Sequence, residues 1–357
     1  MKADKAGRLM ESSASGRSAI CFGVLLTVLI LCAAPAQAQL SQLTAVPGRT
    51  PSIGEQFTYL SSGLFEYSKT DLSLPGTMPI NVTRVYRSSD KASGNFNNRA
   101  FGLGTRLNYD MFLVNVGSTE TDVHMPDSSV LVCRGQSHPF SCNYAPSGVW
   151  FNAYIDSTSD LVRQDGTQYH FDSSGLLVSI KDHYDNEITI TRGPASENSA
   201  CRGTIGGGGS VPSEYVASVS SSNGRTVYFC YDDSNNPYDI TGIADNANLT
   251  IKKVLYTYDN SSRLKTVTQT AFNAEAITTY DYNQTSSGVG QLTEIAVNDS
   301  CAGSNCSNPN QVFTYITYKT NDLGDALGSI SSQLPGNGYQ YTYTFNSGGT
   351  YVTKASG

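Results

Sequence analysis

The residues with the widest chemical range in this sequence are four histidines, His124, His138, His170 and His183, a scatter of cysteines, and carboxylates such as Asp232, Asp233 and Glu294. A nucleophilic hydrolase needs a serine raised on a tight elbow, and the chain contains no Gly-x-Ser-x-Gly. Zinc needs closely spaced Cys or His ligands. There is no Cys-x-x-Cys, and only His138 lies between a close cysteine pair, Cys133 and Cys142. No metal or cofactor is expected. Paired carboxylates would suit a glycosidase, in which one gives a proton and the other attacks the sugar or activates water; their separation in space decides the matter. Asp232 follows Tyr231, however, as Asp172 follows Phe171 and Asp259 follows Tyr258, each time where turn-forming residues begin. An Asp at such a place accepts backbone N–H groups from its own turn. Asp172, Asp232 and Asp259 are therefore expected to be structural.

The elements that carry these aspartates are short strands. In Tyr256-Thr-Tyr-Asp-Asn-Ser-Ser-Arg-Leu-Lys-Thr-Val-Thr268, Tyr256 and Tyr258 share one strand face, the Asp-Asn-Ser-Ser run turns the chain, and an alternating strand returns. Arg263 is expected to cover the edge with its stem and keep its charge in water. The pattern recurs from Tyr169, from Tyr228 and, less sharply, from Tyr280, Tyr315 and Tyr339. A lone hairpin buries too little to be stable, so recurring hairpins must stack on one another. Alternation places Tyr256, Tyr258, Tyr280 and Tyr282 on one face, where the rings either fill the inside of a curved sheet or form a platform on which sugar rings stack.

Composition agrees with strands throughout. The chain has 22 tyrosines and one tryptophan, and beta-branched and aromatic runs are broken by Asn, Asp, Gly and Ser, with no helical periodicity beyond the first residues. Those first residues differ: basic side chains precede an apolar run from Ala19 to Ala34, followed by Pro35 and Ala36-Gln37-Ala38. They are expected to be a secretory signal peptide over 1–38, which makes the mature chain exported and places it in the periplasm, on the cell surface or outside the cell. No later apolar run is long enough to span a membrane. The net charge of -7 argues against nucleic acid as a partner. In an oxidising compartment the remaining cysteines suggest disulfides. Short spacings favour Cys133 with Cys142 and Cys301 with Cys306, leaving Cys201 with Cys230, one arrangement among the many that these residues allow.

A linker over 39–52 leads to a region of different texture, 53–152, where the segments Asp71-Leu-Ser-Leu-Pro-Gly76, Val82-Thr-Arg-Val-Tyr86 and Phe101-Gly-Leu-Gly-Thr…Tyr109-Asp110 stand in order. They resemble the domain of unknown function that opens Rhs-repeat proteins. Asp165-Gly-Thr…Phe171-Asp-Ser-Ser-Gly175, Gly224-Arg-Thr…Tyr231-Asp232 and the stretch from Tyr256 resemble the YD repeats of the same family, within a repeat region taken as 153–357. The resemblance implies an all-β chain whose hairpins wind into a curved or spiralling sheet, part of a shell like those of bacterial Rhs proteins and teneurins. The function it implies is a non-enzymatic, exported scaffold for surface display or toxin delivery, here without a toxin-like segment and with a repeat region expected to be incomplete. Two alternatives stand beside it: a module binding cell-surface glycans through the four tyrosines, and a hydrolase of envelope polysaccharide. The partners these readings imply are cell-surface glycans or further Rhs-repeat sequence.

Overall fold

The structure is a computed structural model that describes residues 56–58, 65–88, 100–127, 129–142, 150–193, 215–231, 233, 238–245, 253–271, 274–282, 291–301, 311–318, 330–334, 339–346 and 349–356. Side chains are described from 65 to 296 within these ranges, apart from 271–276. The chain divides into the units Met1–Ala38 and Gln39–Gly357, and every described residue belongs to the second. The signal peptide and the linker, with Cys201, Asp232 and Cys306, lie outside the described residues.

The described elements are all strands. A first sheet has the order β1 (Gln56–Thr58), β2 (Phe65–Leu74), β3 (Ile80–Arg87) and β4 (Thr105–Leu107). A ladder then begins with β5 (Phe112–Asn115), β6 (Glu120–His124), β7 (Val130–Arg134), β8 (Phe140–Ser141) and β9 (Tyr154–Ile155). It continues through β10 (Leu161–Val162), β11 (Gln168–Phe171), β12 (Leu177–Lys181), β13 (Glu187–Arg192), β14 (Val216–Ser221), β15 (Thr226–Cys230), β16 (Gly242–Ala244) and β17 (Val254–Tyr258). The last strands are β18 (Leu264–Ala271), β19 (Ala274–Tyr282), β20 (Leu292–Cys301), β21 (Gln311–Tyr318), β22 (Ile330–Leu334), β23 (Tyr339–Asn346) and β24 (Gly349–Ser356). From β5 to β24 each strand pairs antiparallel with its neighbour in the chain. The strand order returns β24 to β5, as in a closed barrel. That is the one junction at which no residue register is seen among the described residues.

The break between sheets falls between β4 and β5, within the region 53–152; β5 to β7 alternate like the first sheet and lack Tyr-Asp turns.

The repeated unit has a defined geometry. At four turns an Asp accepts the backbone N–H groups of the residues two and four positions on, through one oxygen, Oδ1. They are Asp156 with Thr158 and Asp160, Asp172 with Ser174 and Leu176, Asp182 with Tyr184 and Asn186, and Asp259 with Ser261 and Arg263. The residue three positions on, Ser159, Gly175, Asp185 or Ser262, has positive φ, and its N–H bonds to the carbonyl oxygen of the Asp. This is a type I turn closed by a left-handed residue, the usual three-residue hairpin loop. Arg163 and Ser221 occupy the Asp position in two further turns, closed by Gly166 and Gly224. The aromatic before the turn stands opposite the first aliphatic residue of the return strand: Phe171 faces Leu177, Tyr258 faces Leu264, and Tyr282 faces Leu292.

Inward-facing residues of the ladder and of the first sheet form one hydrophobic core. Among its fully buried members are Phe65 and Ile80 of the first sheet and Phe229, Ile155 and Leu177 of the ladder. One disulfide joins Cys133 to Cys142. Its short loop stabilises by roughly 2–3 kcal/mol on chain-entropy grounds. Cys230 is also disulfide-bonded, to a sulfur among the side chains not described.

Candidate functional site

The concentration of polar chemistry in this molecule lies inside the core, where the first sheet meets the ladder. In β3, Ile80, Val82, Arg84 and Tyr86 occupy alternate positions, so Arg84 is carried inward with three hydrophobic residues. In β2 the register slips between Thr70 and Leu72. The extra residue of this bulge is Asp71, and a bulge re-aims the side chain it carries. Asp71 and Arg84 meet as a buried bidentate pair, Nε to Oδ2 at 2.5 Å and Nη2 to Oδ1 at 2.9 Å. The arginine is 2% exposed.

The ladder completes the cluster. Tyr256 of β17 donates its hydroxyl to Asp71 Oδ2 at 2.7 Å, and Arg84 Nη2 donates to the Tyr280 hydroxyl of β19 at 2.9 Å. The guanidinium lies 5.2 Å from the Tyr280 ring centre and 5.9 Å from that of Tyr256, within cation–π range. Burial opposes the Arg84 charge, but Asp71 and the facing tyrosines outweigh it and hold the guanidinium firmly protonated. Burial pushes the Tyr256 phenol well above its ordinary range, and Asp71 adds to this. The Tyr67 phenol is raised first by burial and next by Tyr280. Arg84, Tyr256 and Tyr67 are thus held away from proton exchange near neutral pH.

The other sequence-predicted tyrosines are tied in the same way. The Tyr258 hydroxyl donates to the Ile240 carbonyl at 2.6 Å, and that of Tyr282 to the Leu264 carbonyl at 2.9 Å. Tyr231 does the same toward Val216. Each of these rings is pinned to backbone laid down one hairpin earlier. Tyr86 accepts the N–H of Leu292, and Phe101 packs 4.9 Å from Tyr256. A void of about 10 Å³ lies between Tyr67, Arg84, Tyr282 and Leu292, at the threshold for one water molecule.

This geometry favours one of the two readings of the tyrosines, the filled core, and corrects the expectation for Arg263. The four rings are not an open platform: Tyr256 and Tyr280 are 3% exposed, Tyr258 and Tyr282 pack against the same core, and the first sheet lies where a sugar would have to stack. Arg263 does not keep its charge in water. It is 5% exposed, its Nε donates to Asp259 Oδ2 at 2.7 Å, and its guanidinium lies 4.8 Å from the centre of the Tyr282 ring. Its own turn supplies the counter-charge that allows burial.

The first sheet also holds the ladder by its turns. Leu103 N–H bonds to the Ser262 carbonyl in the β17–β18 turn, and Ser221 Oγ in the β14–β15 turn donates to the Met78 carbonyl; within the ladder itself, Leu113 N–H of β5 bonds to the Gly175 carbonyl in the β11–β12 turn. A side chain at Gly102 would stand 2.3 Å from the Ser262 carbonyl oxygen, and one at Gly175 would stand 2.7 Å from that of Leu113. Glycine is required by close approach at both places.

The residues proposed for catalysis are dispersed. Asp232 lies outside the described residues. Glu294 faces Asp281 across β19 and β20, and its carboxyl is raised by burial and then by that like charge. His170 meets Asp160 on the surface at 2.5 Å, while His124 stacks on Phe112 and His138 on Phe140. No group of three or more His, Cys, Asp or Glu side chains that could hold a metal occurs among the described residues. No helix there is long and apolar enough to cross a membrane.

The site thus defines an all-β chain in which a small sheet is locked into a long hairpin ladder. Residues 59–132 match a family described as a domain of unknown function, DUF6531. No curated protein matches the sequence. Similar solved structures include that of TcdB2-TccC3-Cdc42, with TM-score 0.26, 10% identity, 82% of this chain covered and 19% of the other. For that of TcdB2-TccC3 the values are 0.26, 10%, 85% and 21%. A porin-like protein from Bacteroides uniformis gives 0.28, 11%, 69% and 93%. The chain spans about a fifth of the length of the two TccC3-containing chains it matches.

Proposed function

We propose that this chain is an exported, non-enzymatic scaffold of the Rhs/YD-repeat type, in which the first sheet is the keystone that holds successive hairpins in place. The observation that carries the reading is the buried Asp71–Arg84–Tyr256–Tyr280 cluster, an ion pair within the first sheet that the Tyr256 and Tyr280 hydroxyls tie to the ladder. Reactive carboxylates and arginines at a catalytic centre face a cleft and hold shifted proton affinities ready for use. Here the corresponding groups face one another beside a void of about 10 Å³. The DUF6531 match followed by the recurring Asp-centred turn gives the order of parts that an Rhs-type scaffold requires.

Two measurements on the exported fraction of the host test the reading together. The scaffold should be recovered there as a protease-resistant species, and Arg84→Met should abolish that resistance. Release of reducing sugar from envelope polysaccharide, lost on a point substitution that leaves the fold intact, would overturn the non-enzymatic part. Recovery only from the cytoplasm would overturn export.

A further inference from the structure

A carboxyl that the seam does not use lies at its edge. Asp239 is 0% exposed, and neither of its oxygens makes a well-formed hydrogen bond, the Gly102 backbone N–H being the one donor that bears on it among the described residues. Its position is structurally crowded. The next residue, Ile240, donates its N–H to the Ala100 carbonyl at 2.7 Å and accepts the Tyr258 hydroxyl at 2.6 Å. Two residues beyond Ala100, Gly102 is bridged to Arg263, and its neighbour Leu103 bonds to Ser262. Asp239 therefore sits where three segments close on one another: the 100–104 loop from the first sheet, the 238–240 approach to β16, and the β17–β18 turn. An ionised carboxylate in such a place, with one weak backbone donor and no described cation paired to it, is strongly disfavoured.

We propose that Asp239 is a proton-operated latch on this seam: protonated, it allows the 100–104 loop to close on the ladder, and ionised, it favours an opened seam in which water reaches the carboxylate. Among the described residues no cation bears on Asp239, and the charges of the β17–β18 turn, Arg263 and Asp259, pair with each other. Burial raises the carboxyl most, Asp233 adds like-charge repulsion, and the Gly102 backbone acts weakly in the opposite sense, leaving it pushed up to about 7. The loop itself, Ala100-Phe-Gly-Leu-Gly104, carries no ionisable side chain. From β17 the neighbour is the neutral Tyr258 phenol, and behind it stands Tyr231, on which Asp110 bears. The cations Arg84 and Arg192 bear on those two tyrosines rather than on Asp239.

The sign follows from linkage. A carboxyl whose closed-state affinity for protons exceeds its open-state affinity favours closure at low pH, and that preference is lost as pH rises through the closed-state value. Opening should therefore increase by up to about tenfold per pH unit between roughly pH 4 and 7, and level off above it. Hydrogen exchange of the full chain, corrected for the intrinsic rate, measures this directly. Peptides covering 100–110 and 238–245 should exchange faster by on the order of a hundredfold at pH 8 than at pH 5, while those of β11–β13 do not. Asp239→Asn should remove the dependence and leave the protein at least as stable at pH 8 as the parent. If that variant fails to fold, Asp233→Asn carries the test, because removing its charge should lower the pH at which the rise levels off. A parent seam with no pH dependence, or the same dependence in Asp239→Asn, overturns the latch.

Discussion

Arg84 shows how a single charged residue can be more informative than a run of hydrophobic ones. It occupies an inward position of an alternating strand, where an isolated guanidinium is intolerable, and its presence there demands a buried partner. That demand was visible in Ile80-Asn-Val-Thr-Arg-Val-Tyr86. The partner was not, because Asp71 reaches it through a bulge, which shifts strand parity without a sequence signature. Removing one member of such a pair leaves the other charged and buried. Arg84→Met is therefore expected to destabilise the protein by roughly 3–5 kcal/mol, measured by denaturant unfolding. Adding Asp71→Leu should recover more than half of that loss, and additive losses would show that the two residues do not act as a pair. Tyr258 offers a second residue-scale test. Tyr258→Phe keeps the ring and loses only the bond to Ile240, at about 1 kcal/mol, whereas Tyr258→Ala also empties the core, at roughly 3–5 kcal/mol. Equal losses would mean that the hydroxyl rather than the ring holds the hairpin.

At the scale of elements, the hairpin turn was legible and its docking was not. Asp at the head of a polar turn identifies the Asp172 and Asp259 frames from residue chemistry alone, since an Asx oxygen is suited to collecting its own turn's N–H groups. The same frame at Asp156 and Asp182 carries no preceding Tyr or Phe, and at Arg163 and Ser221 it lacks the Asp; the polar runs from Asp182 and Ser222 and the Asp165-Gly-Thr and Gly224-Arg-Thr segments still read as turns. What the turns touch depends on residues far away in the chain. Gly102 and Gly224 separate the two contributions. Both have positive φ, but a side chain at Gly224 meets nothing within 4 Å, while one at Gly102 meets the Ser262 backbone. Gly224→Ala should cost about 1–2 kcal/mol for the left-handed backbone alone. Gly102→Ala should cost a further 1–3 kcal/mol or so for overpacking, read as the difference in unfolding free energy. Similar losses would place the Gly102 contact outside the energetics of the seam. The turn aspartates also set an acid limb. Burial raises the Asp182 carboxyl, but bonds from the Asn186 side chain and from the Asn186 and Tyr184 N–H groups prevail and lower it below its usual 3.8; Asp156 behaves likewise with Thr158 and Asp160. A carboxyl depressed in the folded state adds stability above its unfolded value that is lost as pH falls through the folded one. Asp156→Asn with Asp182→Asn should thus flatten the loss of stability below about pH 4 in thermal melts, and an unchanged acid limb would assign it to other groups.

For the molecule as a whole, the seam ties together residues remote in the chain: Asp71 to Tyr256 across 185 positions, Arg84 to Tyr280 across 196, and Leu292 to Tyr86 across 206. The ladder is otherwise built from neighbours, each hairpin pairing with the next, an arrangement that by itself permits stability to be divided repeat by repeat. The long-range bonds oppose that division, because the first sheet cannot leave without exposing the tyrosine face of β17 and β19 and stranding a buried charge. Unfolding should therefore be cooperative across both sheets. The chain's one tryptophan, Trp150, packs 5.4 Å from Tyr169 of β11 and reports the early ladder, while pulsed hydrogen exchange of β2 and β3 reports the first sheet. In the parent protein the two signals should share one denaturant midpoint. In Arg84→Met the first sheet should exchange at lower denaturant than the Trp150 transition, since that substitution cuts the tie without touching the early hairpins. Separate midpoints already in the parent would mean that the buried cluster joins two independent folding units, and the first sheet would lose its keystone role.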